Sequence, residues 1–192
     1  MRIFITLLLI LIMNTSFSQG LPLRQIPDYP VSMNEGSTIA RFVEGLGYRY
    51  YWATEGLRDE DLSFRPSADA RTTRETLDHL YGLARFTLYT VRGDTIVFDN
   101  DHQSLSFEEL RKQTLEMLAE TSVILRDESF VPAPIIFPRA SDGSSSSLPF
   151  WHLLNGPISD ALYHTGQVVS FRRSSGNPMN PNVNVFMGKN SG

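Results

Sequence analysis

The chain has 192 residues, 41% of them hydrophobic, with 17 Lys and Arg against 21 Asp and Glu and no cysteine. That length supports one domain whose core needs no covalent staples. A net charge of −4, with no basic cluster longer than Arg172-Arg173, argues against nucleic acid or an anionic membrane as a partner; the missing thiols exclude disulfides, thiolate nucleophiles and thiolate metal ligands. Any metal must be held by His, Asp or Glu.

Arg2, the uncharged run Ile3 to Met13, and Ser16 and Ser18 flanking Phe17 predict a signal peptide over residues 1–18, cleaved after Ser18. The apolar run is shorter than the roughly 20 residues that span a bilayer, so the expectation is export to the periplasm or beyond, without membrane contact after cleavage. Residues 19–33, with three prolines between Leu21 and Pro30, predict an extended lead-in that acts as a linker. Residues 34–192 form the folded domain.

A first helix is predicted from a cap at Asn34 or Ser37, through Ile39, Phe42, Val43, Leu46, Tyr50 and Ala53, to Gly56. Gly45 and Gly47 lie inside it at a cost of about 1 kcal/mol each relative to Ala, which predicts close approach by a neighbouring helix. Tyr48, Tyr50, Tyr51 and Trp52 are expected in the core, with a pocket lining as the alternative. Arg58 to Arg71 reads as a polar connection.

The second helix is predicted over Thr73 to Arg92, with Leu77, Leu80, Tyr81, Ala84, Leu88 and Val91 on one face and His79 at its edge. Gly93 to Leu105 is another polar connection, which places His102 at the surface. Ser106 and Glu109 form a capping box that opens a third helix running through Leu110, Leu115, Leu118 and Val123 to about Arg126. Phe130 to Pro149, with four prolines and a serine run, predicts a long loop and a candidate lid, in which Ile135, Ile136 and Phe137 form an edge strand or a cover.

The fourth helix either opens at Asn155-Gly156-Pro157 or is kinked there, having begun near Phe150. Beyond it, Asp160, His164, Gln167 and Phe171 recur at i, i+4, i+7 and i+11, one face of a helix. Residues four apart have Cβ atoms roughly 5–6 Å apart, so the carboxylate and imidazole can converge on one cation. His152 would lie about 80° around from Asp160 on an unbroken helix and ranks below His164 as a ligand. Gly176-Asn-Pro ends the helix, and the tail is expected to pack back through Val183, Val185 and Phe186.

Four helical segments, little strand signal and two long connections predict an all-α four-helix bundle. His79 in Leu77-Asp-His-Leu80, with Asp160 and His164 in Asp160-Ala-Leu-Tyr-His-Thr-Gly-Gln167, resembles the DinB/YfiT-like family of metal-dependent enzymes over most of the chain. That family has a histidine on its second helix and a His-x-x-x-His pair followed by Gly-Gln on its fourth, all three histidines binding zinc or nickel. Here Asp160 stands where the first histidine of the pair belongs.

The resemblance implies a DinB-like bundle in which His79, Asp160 and His164 bind one divalent metal, with Gln167 supporting them from behind. Zinc or nickel follows the family's habit; iron or manganese also suits two histidines and an acid. Characterised relatives include thiol S-transferases and thiol-dependent isomerases, so the implied chemistry is metal activation of a thiol or water toward an unassigned small molecule, with a homodimer as the implied assembly. Export separates the chain from cytoplasmic thiols, which raises hydrolysis as the reaction. The competing expectation is a non-catalytic secreted bundle that binds metal or ligand, or one in which Asp160 merely pairs with an arginine.

Overall fold

The computed structural model describes residues 20–191, so the expected signal peptide, residues 1–18, lies outside the described residues. The long helices are α1 (Glu35–Thr54), α3 (Thr73–Arg92), α4 (Phe107–Arg126) and α6 (Ser159–Ser174). Three of them start on reciprocal caps that satisfy exposed backbone N–H groups at the first turn: Asn34 with Ser37, Thr72 with Glu75, and Ser106 with Glu109. α3 ends at Gly93, whose φ of 74° is the left-handed conformation that favours glycine.

The fold is the predicted all-α bundle. α4 packs along both α1 and α3, and α6 closes the bundle against α3 and α1. Leu77, Leu80, Leu110, Leu118, Leu153 and Val168 fill its centre. Tyr48, Tyr50, Tyr51 and Trp52 are buried in the core and line none of the cavities described here. No helix among the described residues is long and apolar enough to cross a membrane.

The explanation expected for Gly45 and Gly47 needs correction. A Cβ at Gly47 would run into Leu23 of the lead-in, while at Gly45 only the side chain of Arg49 comes near. The tight helix-to-helix approach falls instead at Gly36, where a Cβ would collide with the carbonyl oxygen of Leu125 on α4. The lead-in is therefore packed. Trp52 Nε1 donates to the carbonyl of Arg24 (3.0 Å), and Ile26 N–H donates to the carbonyl of Gly188 (2.7 Å).

Other local expectations shift for tertiary reasons. The connection after Arg58 contains a short helix, α2 (Asp59–Ser63). Phe42 and Val123 are exposed, while Thr114, Thr121 and Ser122 are buried on α4 beside the expected Leu110, Leu115 and Leu118. Both threonine hydroxyls donate to the carbonyl four residues back, at 2.7 and 2.8 Å, so a nominally polar side chain enters the core with its hydrogen bond made.

The long loop folds into a hairpin of β1 (Ile135–Ile136) and β2 (Ser147–Leu148) that covers one side of the bundle with Ile135 buried. At the carboxyl end, β3 (Val183–Asn184) pairs with β4 (Lys189–Asn190). Val183 packs back on the core as expected and Tyr48 Oη donates to Asn190 Oδ1 (3.0 Å), whereas Val185 and Phe186 are exposed, contrary to their expected packing.

One buried cation ties α6 to the end of α1. Arg172 is 3% exposed, and its Nη1 lies 3.0 to 3.1 Å from the carbonyls of Trp52, Ala53 and Glu55, which the helix leaves unpaired. Nearby, Asp61 accepts from Arg58, Ser175 and Asn177. The Arg58 hydrogen bond, helped by those from Ser175 and Asn177, holds the Asp61 carboxyl well below the usual carboxylate range.

Candidate metal centre

The fourth helix of the sequence analysis is interrupted by a kink. It begins as α5 (Trp151–Leu153), widens into a π turn over Leu154–Ile158, and resumes as α6. Gly156 leaves helical geometry (φ −93°, ψ −107°), and Pro157 supplies no backbone N–H, so the turn reorganises around these two residues. Ser159 bridges the gap: its N–H reaches the carbonyl of Leu154, and its Oγ donates to the same oxygen at 2.6 Å. His152 lies before this turn, is exposed, and stands outside the ligand cluster.

Beyond the turn, α6 aims Asp160 and His164 at His79 of α3. His79 Nε2 lies 3.0 Å from Asp160 Oδ2, and His164 Nε2 lies 3.4 Å from Asp160 Oδ1. The two imidazoles meet edge to face, 4.7 Å apart at an interplanar angle of 89°. One ligand atom from each of the three residues lies within 4.8 Å of the others. These side chains are 32%, 43% and 13% exposed for His79, Asp160 and His164, which leaves Asp160 as the solvent-facing member.

Donors 2.0–2.1 Å from a tetrahedral ion stand about 3.3 Å from one another, so the two measured separations suit a shared cation as well as a hydrogen bond. Chemistry of the donors agrees: two imidazoles and one carboxylate, with no thiolate, suit a borderline divalent metal. Asp160 pairs with no arginine among the described residues; Arg74 is engaged by Asp78 and Arg85 by Asp99. The competing arginine-pair arrangement is therefore not formed.

Gln167 sits one turn beyond His164, and its Oε1 is 2.7 Å from His164 Nδ1. With the amide oxygen as acceptor, Nδ1 carries the proton and the Nε2 lone pair is left facing the cluster; this tautomer is assigned from the hydrogen-bond pattern. Asp160, His164 and Gln167, singled out from spacing, thus meet His79, singled out by the resemblance: three ligand-type side chains cluster and Gln167 orients His164.

His102 was missed as a participant in this region. It belongs to a 3-10 turn, Asp101–Ser104, and its ring stacks on Tyr81 at 5.0 Å and 22°, rather than lying free in solvent. It helps to line a cavity of about 400 Å³ that begins at His79 and runs along α3 past Leu83, Phe86 and Tyr89. No local sequence signal marks this, because the turn is placed by the Arg85 to Asp99 ion pair at 2.7 Å.

No curated protein and no solved structure matches this chain. A sequence profile described as the DinB superfamily matches residues 45–168, which span α1 from Gly45 through α6 to Val168 and include all three clustered residues and Gln167. The chain belongs to the DinB superfamily.

Proposed function

We propose that this protein is an exported metal-dependent enzyme in which His79, Asp160 and His164 hold one divalent cation. The observation that carries the reading is the convergence of three donor atoms from two helices at separations suited to one ion. A cation held there supplies a Lewis acid that lowers the pKa of water or a thiol, for a hydrolase or transferase reaction.

The residues of the chain divide the remaining work. His79 and His164 each present an imidazole nitrogen from a different helix, Gln167 orients His164, and Asp160 contributes a carboxylate oxygen on the exposed side, where a small molecule can approach. A hard carboxylate donor in place of the family's first paired histidine widens the acceptable metals from zinc and nickel toward iron and manganese.

Elemental analysis of protein purified without chelator or affinity tag tests the reading. Close to one equivalent of a single transition metal is expected. Less than about a tenth of an equivalent, unchanged after adding zinc, nickel, iron or manganese, leaves a bundle that binds no metal. Asp160→His is expected to keep the metal with altered preference, because it restores three imidazole donors.

Export is proposed from Arg2, the apolar run Ile3 to Met13 and the serine pair. Mass spectrometry of protein from the native host is expected to show a chain starting at Gln19 or its cyclised form. Abundant cytoplasmic protein that retains Met1 overturns it.

A further inference from the structure

We propose that the cavity beside His79 binds an uncharged aromatic small molecule whose polar substituent faces the His79 end. The inference deepens the metal-centre reading and rests on it only for what becomes of the bound molecule. At about 400 Å³ the cavity is within the ordinary range for small-molecule sites.

Its shape follows from one helix face and one loop. Leu83, Phe86 and Tyr89 follow His79 along α3 at i+4, i+7 and i+10, and Val97 and Phe98 of the following loop also line the cavity. The rings are arranged as a set: Phe98 stacks on Phe137 at an interplanar angle of 8°, and Phe86 meets Phe137 at 60°. A flat ring entering between such walls gains edge-to-face and offset contacts beyond its buried area.

Charge decides against an anion. Arg85 is the one cationic side chain among the lining residues apart from imidazole, and Asp99, also on the wall, already neutralises it at 2.7 Å. An anionic ligand would have to displace that carboxylate. A neutral ring leaves the pair intact.

Gly82 supplies a separate observation. A glycine inside a helix costs about 1 kcal/mol relative to alanine. Nothing lies within 4 Å of the place its Cβ would occupy, so neither close packing nor an unusual φ accounts for it. Gly82 does line the cavity, one turn from His79, where a side chain would project into the free space. Its absence of a side chain keeps the cavity open.

The probe is 2-naphthol, titrated by fluorescence into the metal-loaded protein and again after chelation, with naphthalene-2-sulfonate as the charged counterpart. Saturable naphthol binding is expected in both states, with the sulfonate at least tenfold weaker in the chelated one. Gly82→Leu, which inserts a good helix former, is expected to weaken naphthol binding at least tenfold with metal content unchanged. Phe98→Ala, which leaves α3 untouched, is expected to weaken it several-fold. Absent wild-type binding, wild-type affinity in Gly82→Leu, or equal affinity for the sulfonate overturns the proposal. Naphthol bound by protein that takes up no metal upholds the pocket and defeats the enzyme reading instead.

Discussion

Alanine at His79 or His164 is expected to abolish stoichiometric metal binding, with affinity falling at least a hundredfold. Each histidine supplies one of three clustered donors, and the two that remain after either substitution do not close a site. Gln167→Ala is expected to cost less, about 10–100-fold, because it removes the group that orients His164 while leaving all donors in place. His102→Ala, at a residue that lines the cavity but stands outside the donor cluster, is expected to leave the metal untouched. Ligation by imidazole requires its unprotonated form, so the metal affinity of the wild type is expected to fall as the medium is acidified. Competition against a chromophoric chelator ranks the series. Wild-type affinity in His164→Ala removes the centre as described, and an effect of His102→Ala as large as that of His164→Ala relocates it.

Arg172→Leu is expected to destabilise the fold by about 3–5 kcal/mol, because several carbonyls lose their donor at a cost of roughly 1–3 kcal/mol each. The substitution strips the cation from the carbonyls of Trp52, Ala53 and Glu55 and leaves the two buried ones, of Trp52 and Ala53, without a donor. For a chain of this size that corresponds to a fall in Tm on the order of 10 °C. Arg173→Leu, its exposed neighbour, is expected to stay within about 0.5 kcal/mol. Chemical denaturation of both variants decides the matter; a loss below about 1 kcal/mol in Arg172→Leu means that water or a neighbour satisfies the end of α1.

The parts of the fold that were legible in the sequence are those governed by local chemistry. Ser106 and Glu109 announce the start of α4, and the apolar period of α3 from Leu77 to Val91 marks the face that is buried. The clustering of the candidate residues was legible in part for the same reason: four-residue spacing puts Asp160 and His164 on one face, whereas only the family resemblance singled out His79 across the bundle. What was misread depends on partners distant in the chain. Leu23 explains Gly47, the Leu125 carbonyl explains Gly36, and Asp99 with Arg85 carries His102 to a cavity wall. Val123 and Phe186 were expected inside by hydrophobicity alone, yet threonines with satisfied hydroxyls and a polar clasp at Asn190 occupy those roles.

The π turn at Leu154–Ile158 makes the centre sensitive to chain length in a way that substitution tables do not capture. A residue added to or removed from a helix rotates everything beyond it by about 100°. Were the turn tightened to ordinary helix by the loss of one residue, Asp160 and His164 would swing together away from His79, their mutual spacing intact and their partner lost. The two halves of the donor set are therefore phased by a single irregular turn, much as a gear is timed by one tooth. Within the superfamily, a one-residue gap opposite 154–158 is a statement about whether the two helices still address the same point, and a chain that keeps every donor residue but differs there need not keep the centre.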